Sequence, residues 1–297
     1  MPFTGHQDFR AKVLAQKTHW AAGAYDALSA RFIQAAGFDA LLTSGFGVSA
    51  SLLGMPDAEL YTMTENLGVV RNVTNVVDIP VIADIDTAYG NAINVMRTIR
   101  EFEATGVAAV IMEDQVAPKR CPICVGGVET IPMDEAVGKI RAAVEARRNP
   151  NMLIVARTDV ATEAEAIERA KAYVAAGADV IQPISRTFKT IEGLRALREA
   201  CGVPLSLQIL GWLEKNLSPA EIESVAGLAT FPLVPLMSIA TALQENLAAL
   251  VRDKTTKNLP RPTMGHDPFI EMIGFKEIEA LQLKYLTTPP PKAFAAE

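Results

Sequence analysis

One phrase recurs along this 297-residue chain: an Ala-rich helical stretch, a glycine, then a short apolar run. It reads Ala35-Ala36-Gly37-Phe38-Asp39-Ala40-Leu41-Leu42, Ala104-Thr105-Gly106-Val107-Ala108-Ala109-Val110-Ile111 and Ala175-Ala176-Gly177-Ala178-Asp179-Val180-Ile181. Looser copies are Ala200-Cys201-Gly202-Val203-Pro204-Leu205 and Val225-Ala226-Gly227-Leu228-Ala229. A glycine just past a helix can take the left-handed conformation that stops it, and an uninterrupted apolar run suits a strand buried on both faces. Repeated helix–Gly–strand units are the mark of parallel βα architecture.

Filling the gaps predicts strands near 19–23, 38–43, 79–84, 107–112, 152–157, 178–182, 203–208 and 228–233. Helices are expected over Asp26–Ala36, Thr64–Val77, Ala92–Ala104, Asp134–Arg147, Glu163–Ala175, Ile191–Ala200, Pro219–Val225 and Ser238–Arg252. Eight such pairs fit an α/β fold closed as a (β/α)8 TIM-type barrel. A doubly wound open sheet would call for a Gly-rich phosphate loop after its first strand, and the chain has none there. The barrel is expected to occupy residues 1–255, with a C-terminal helical extension and tail over 256–297. That extension holds a helical stretch, Pro268 to Tyr285, and a Pro-rich end, Thr287 to Glu297, which suits either a frayed tail or an oligomer-forming arm.

Composition narrows the partners. The formal charge is −6, which speaks against nucleic acid, whose phosphates reward a basic face. The first ten residues lack the basic-then-apolar order of a signal peptide, and no uninterrupted apolar run is long enough to span a bilayer. Three cysteines are too few for a disulfide framework. The expectation is a cytoplasmic protein with neither nucleic-acid nor membrane partners.

In barrels of this kind chemistry sits where strands run into loops, so acidic residues are read by position. The third strand runs into Asp84-Ile85-Asp86-Thr87-Ala88-Tyr89-Gly90 and the fourth into Glu113-Asp114-Gln115. Alternation along a strand puts Asp84 and Asp86 on one side, with Glu113 on the neighbouring strand. Crowded carboxylates repel unless a cation sits among them, and an all-oxygen set favours Mg²⁺, with Mn²⁺ as the other choice. The competing reading has these acids capping helices or pairing with Arg and Lys. The fifth strand ends in Ala156-Arg157-Thr158-Asp159, placing at the same mouth a guanidinium suited to two-point binding of a carboxylate or to an ion pair with Asp159.

Between the fourth strand and the next helix lies a loop of about residues 116–132, long enough to be a lid, with Gly126 and Gly127 as a hinge. It carries Lys119-Arg120-Cys121-Pro122-Ile123-Cys124. A zinc half-site lacks a second ligand pair, and a redox pair would normally open a helix. A catalytic thiol, Cys121, flanked by Lys119 and Arg120, is the preferred reading.

Together these segments resemble the isocitrate lyase and phosphoenolpyruvate mutase superfamily, in its methylisocitrate lyase and 2,3-dimethylmalate lyase-like branch. The resemblance rests on Ala24-Tyr25-Asp26-Ala27-Leu28-Ser29-Ala30, Thr43-Ser44-Gly45, Leu53-Gly54-Met55-Pro56-Asp57, the Asp84–Asn91 run, Glu113-Asp114-Gln115, Pro118-Lys119-Arg120-Cys121 and Ala156-Arg157-Thr158-Asp159. It implies a Mg²⁺-dependent barrel that makes or breaks bonds beside a 2-oxo or 2-hydroxy carboxylate through an enolate-type intermediate. By position, Asp57, Asp84, Asp86 and Glu113 would hold the ion directly or through water. Ser44 and the Gly45 amide would bind the substrate carboxylate, assisted by Arg157, and Cys121 would protonate the carbanion. The resemblance also implies a homotetramer acting on a small di- or tricarboxylate.

The chain departs from the lyase pattern at four places. Pro122-Ile123 replaces the usual Gly-His of the lid, Gln182 stands where a Glu is common, Leu207-Gln208 where an Asn is usual, and Leu42 where the isocitrate-lyase type often has Tyr. The metal and carboxylate set looks intact while the distal contacts are rewritten. The leading expectation is a C–C lyase acting on a substituted malate or isocitrate-like acid. The alternatives are an oxaloacetate decarboxylase or hydrolase, phosphonate P–C chemistry, and a barrel that binds oxo acids without turnover.

Overall fold

A computed structural model describes residues 3–121 and 127–287. Eight parallel strands close in sequence order into a barrel. They are β1 (His19–Ala24), β2 (Ala40–Thr43), β3 (Val81–Asp84), β4 (Ala109–Glu113), β5 (Leu153–Thr158), β6 (Val180–Pro183), β7 (Leu205–Gln208) and β8 (Ala226–Phe231). The helices are α1 (His6–Leu14), α2 (Ala27–Ala35), α3 (Gly45–Val48), α4 (Met63–Thr74), α5 (Ala92–Glu103), α6 (Met133–Ala146), α7 (Glu163–Ala175), α8 (Ile191–Cys201), α9 (Trp212–Asn216), α10 (Pro219–Glu223), α11 (Val234–Asp253), α12 (His266–Met272) and α13 (Phe275–Tyr285). The predicted strands all form, and their ends move by a residue or two.

The recurring phrase works as expected at Gly37, Gly106, Gly177 and Gly202, whose φ values of 89°, 86°, 104° and 72° end the helical stretches. Its fifth copy does not. Gly227 lies inside β8, which starts two residues earlier than predicted. A Cβ there would stand 2.7 Å from the Val13 carbonyl oxygen, so this glycine serves close approach rather than helix termination.

The approach is made by α1, an element the sequence reading did not anticipate. Its N-cap, Gly5, supplies no side-chain cap, and nine residues carry little periodicity. Phe9 and Val13 pack into a core cluster with Ala21, Ala40, Ile82, Ala108 and Leu228, near the N-terminal ends of the strands. Burying such side chains contributes roughly 1.5–3 kcal/mol each. The helix thus plugs one end of the barrel and leaves the C-terminal end of the strands for chemistry.

Register fixes what faces what at that end. Glu113 on β4 pairs with Arg157 on β5, and Arg157 pairs with Gln182 on β6, so the three form one rung. Asp84 closes β3 beside them.

The chain separates into two compact units, Met1–Ile239 and Ala240–Glu297, with the boundary inside α11. In the second unit, Asn246 exchanges hydrogen bonds with the backbone of Arg261, whose guanidinium pairs with Glu245 at 2.7 Å. The helical stretch predicted over Pro268–Tyr285 is two helices, broken at Gly274 with φ 83°. No uninterrupted apolar run of bilayer-spanning length is present, since Gln244, Glu245 and Asn246 fall within α11. By length and composition alone this 20-residue helix is nevertheless long and apolar enough to cross a membrane, with a mean hydropathy of 1.3 in an 18-residue window.

Candidate active site

Ser44, Asp57, Asp84, Lys119, Cys121 and Arg157 line one cavity of ≈ 80 Å³ at the C-terminal end of the strands. Asp86 and Glu113 stand behind its wall, 0% and 2% exposed. The elements explain the placement. Ser44 ends the β2 loop and caps α3 by accepting from the Gly47 amide at 3.3 Å. Gly45 follows, its amide donating to Asp84 Oδ2 at 3.3 Å. A Cβ at Gly45 would lie 2.9 Å from Tyr61 Oη, 3.0 Å from Asp86 Oδ1 and 3.1 Å from Asp84 Oδ2, so only glycine leaves the acids their space.

The loop after β3 is strained. Asp86, Ala88 and Tyr89 have φ of 50°, 63° and 61°, a region that costs a non-glycine residue about 1 kcal/mol or more. Packing holds it there. Lys139 Nζ donates to the Thr87 carbonyl at 2.5 Å, the Glu113 amide to the Asp86 carbonyl at 2.9 Å, and Asn66 Nδ2 to both the Asp84 carbonyl (2.9 Å) and Tyr89 Oη (2.8 Å).

Two cations sit among the acids. Lys119 Nζ lies 2.9 Å from Asp57 Oδ1 and 2.6 Å from Asp86 Oδ1. Arg157 contacts Glu113 Oε2 at 2.9 Å and pairs with both oxygens of Asp159 at 2.8 Å. The ion pair with Asp159 is therefore present, on an arginine that also lines the cavity. Burial pushes the Asp84 and Asp86 carboxyls up; Asp86 adds to the rise at Asp84, and Lys119 opposes it at both. Burial drives Glu113 well above the carboxylate range against the pull of Arg157. For Lys119, burial would lower the ammonium, but Asp86, Glu113, Asp57 and Asp84 together reverse that and hold it well above its ordinary value.

Among the described residues, no three His, Cys, Asp or Glu side chains stand close enough to hold one ion directly. Even so, the donor chemistry fits Mg²⁺. Asp57, Asp84, Asp86 and Glu113 outnumber Lys119 and Arg157, and the buried Asp86 Oδ2 and Glu113 Oε1 have no hydrogen-bond partner among the described residues. Mg²⁺ commonly takes one or two carboxylates and completes its shell with water and substrate, which suits acids spaced in this way.

Beyond these charged groups the described lining is uncharged. Gln182 Oε1 accepts from Ser206 Oγ at 2.8 Å and from Gln208 Nε2 at 3.2 Å. Gln208 Oε1 is buried without a hydrogen-bond partner among the described residues. Phe46, Ile184, Ser185, Leu210 and Leu233 also line the cavity. Sequence reasoning missed Glu59, which accepts from the Lys119 amide at 3.0 Å, and Tyr61, whose hydroxyl stands beside Gly45, and it gave Gln115 no role beyond its place in a run. Pro122 to Gly126, with Cys124 and one of the two hinge glycines, lie outside the described residues, as does the end of the chain from position 288.

With this geometry in place, comparison with known proteins is decisive. Residues 9–257 match the phosphoenolpyruvate phosphomutase family. The chain belongs to that family, within the isocitrate lyase and phosphoenolpyruvate mutase superfamily. It is 39% identical over 272 residues to a 2,3-dimethylmalate lyase of Eubacterium barkeri, covering 90% of this chain and 93% of that one. It is 34% identical to a 2-methylisocitrate lyase of Shewanella oneidensis, covering 91% and 94%. Among solved structures, a phosphonopyruvate hydrolase in complex with oxalate and Mg²⁺ superposes with a TM-score of 0.86 at 31% identity, covering 96% of this chain and 100% of that one. The chain is thus an enzyme of a superfamily of lyases and mutases, as its motifs indicated.

Proposed function

We propose that this enzyme is a Mg²⁺-dependent C–C lyase that cleaves a malate bearing an uncharged alkyl substituent. One observation carries the reading. Among the described residues, Lys119 and Arg157 are the only cations that line the cavity, both are already ion-paired, and beyond Asp57, Asp84 and Cys121 the lining is serines, amides and apolar side chains. A third carboxylate, as on an isocitrate, would be desolvated in this cavity without a further cation to pair with, at a cost of several kcal/mol. The relatives named for 2,3-dimethylmalate and 2-methylisocitrate support the bond type, and the neighbour holding oxalate with Mg²⁺ supports a carboxylate-and-metal site.

Asp57, Asp84, Asp86 and Glu113 would hold the ion, directly or through water; when bound, it supplies Lewis-acid stabilisation of the negative charge that bond breaking releases. Ser44 and Arg157 orient the carboxylate of the hydroxy-acid half. The 2-hydroxyl gives its proton to a carboxylate lining the cavity, Asp57 or Asp84, as the C2–C3 electron pair withdraws onto C3. C2 becomes the carbonyl carbon of a 2-oxo acid. The Cys121 thiol delivers its proton to C3, releasing the second acid, and the thiolate and the protonated carboxylate exchange with solvent to restore the site. The apolar wall keeps water from protonating the carbanion out of turn.

The experiment is an NMR time course with Mg²⁺, and with EDTA, on 2,3-dimethylmalate, 2-methylisocitrate, isocitrate and oxaloacetate. Metal-dependent conversion of the substituted malate into a 2-oxo acid and a second acid, faster than that of either tricarboxylate, is expected. Persistence of the substituted malate would overturn the reading. Gln182 and Gln208 at positions where lyases carry Glu and Asn favour a second reading, a decarboxylase or hydrolase of oxaloacetate. Loss of oxaloacetate alone, above its uncatalysed background, would establish that one.

A homotetramer is part of the proposal. Tyr25, Phe32, Ile33, Phe38 and Phe231 line an apolar groove of ≈ 600 Å³, and Leu243, Leu247 and Val251 are each more than half exposed. Surfaces of this kind mark places where another protein packs, here a further copy of the chain. Light scattering of the intact protein should give a tetramer, and a monomer would remove this part.

A further inference from the structure

Gln115 is buried, 1% exposed, and lies outside the chemistry assigned above. Its side chain joins two parts of the site that are distant in sequence. Its carbonyl oxygen accepts from the backbone amide of Arg120 at 2.9 Å, next to Cys121. Its amide nitrogen donates to Asp159 Oδ2 at 2.5 Å, and Asp159 in turn accepts from Arg157 Nε and Nη2 at 2.8 Å. The orientation of the amide is fixed by these partners. Reversing it would set an NH₂ against the Arg120 amide and a carbonyl against the Asp159 carboxylate.

Both ends of this bridge are anchored. The backbone at Gln115 is held by the Val116 amide donating to the Glu129 carbonyl and the Ile131 amide to the Asp114 carbonyl, each at 2.9 Å. The adjacent Asp114 accepts from the Asp159 backbone amide at 2.9 Å, from Tyr173 Oη at 2.7 Å and from Arg169 at 3.1 Å. Asp159 is therefore held through its backbone by Asp114 and through its side chain by Gln115. A leucine would fill the space and satisfy neither partner, and a glutamate could satisfy only the Arg120 amide.

We infer that Gln115 is a positioning residue that ties the Lys119–Cys121 segment to the carboxylate-binding Arg157, so that acid and guanidinium are set in place as one unit. The inference rests on the proposed role of Arg157 in holding a substrate carboxylate. Its geometric part stands apart from that role.

Three readouts on the full-length enzyme test it: hydrogen exchange of the segment containing the Arg120 amide, phenylglyoxal modification of Arg157 followed by mass spectrometry, and calorimetric binding of oxalate with Mg²⁺. In Gln115→Leu, Arg120 exchange and Arg157 modification should each accelerate, and oxalate should bind about tenfold to a hundredfold more weakly, the scale of a lost hydrogen bond to a charged group. In Gln115→Glu, exchange at Arg120 should stay slow while Arg157 modification accelerates and oxalate weakens, because the acceptor survives and a second carboxylate faces Asp159. If Gln115→Leu does not fold, Gln115→Asn decides, since its shorter amide cannot reach both partners. Wild-type values of exchange and modification in a folded Gln115→Leu or Gln115→Asn would overturn the inference. Failure of the wild-type enzyme to bind oxalate would instead overturn the proposed carboxylate site, while exchange and modification still decide the role of Gln115.

Discussion

Replacing Cys121 by serine should lower kcat for cleavage by about 10²- to 10⁴-fold, the range a positioned general acid contributes, and leave oxalate affinity close to that of the wild type. The thiol lines the cavity with Ser44, Asp57 and Arg157 and is only 7% exposed, so removing one sulfur leaves the carboxylate contacts standing. Serine keeps the shape and hydrogen-bonding capacity but is a far weaker acid than the thiol, which isolates proton delivery from packing. Steady-state kinetics and calorimetry on the same preparation separate the two effects. A fall in kcat of less than tenfold would assign protonation of the carbanion to another group. A loss of oxalate binding would assign Cys121 a structural part in the carboxylate site.

Removing divalent metal should abolish turnover altogether, with activity restored by Mg²⁺. The physical reason is the charge balance. Asp84, Asp86 and Glu113 are buried, and burial raises the pKa of each, so the folded protein bears a desolvation cost that Lys119 and Arg157 only partly offset. An ion that binds the folded state and not the unfolded chain stabilises the fold by about 2.7 kcal/mol at a hundred times its dissociation constant. The melting temperature in Mg²⁺ should therefore stand several degrees above that in EDTA by calorimetry. Unchanged melting together with undiminished turnover in EDTA would remove the metal from the proposal.

The architecture was legible because it is written locally. Each βα unit carries its own punctuation, and Gly37, Gly106, Gly177 and Gly202 sit in the left-handed region that such a stop requires. The same logic misled at Gly227, where a looser copy of the phrase meets a backbone from the far end of the chain, whereas at Gly274 the same left-handed stop divides a helical stretch read as continuous. Helix α1 was invisible because what it buries, through Phe9 and Val13, is contributed by strands as distant along the chain as the one that carries Leu228. A nine-residue segment with an uncapped start shows that partnership nowhere in its own letters.

For the site, the sequence by itself determined which chemical groups stand at the strand ends: Asp84, Asp86, Glu113 and Arg157 follow from the strand boundaries, and Lys119 and Cys121 from a long loop beside them. Only the tertiary structure decided how their charges are shared. It placed Lys119 between Asp57 and Asp86, set Arg157 between Glu113 and Asp159, and used Gln115 to join them. It also brought Gln182 and Gln208 together in the lining of the cavity. The division has one cause. Strand ends and helix stops are set by nearest neighbours along the chain, whereas a buried carboxylate finds its cation only after the barrel has closed and carried residues from different units into a single rung.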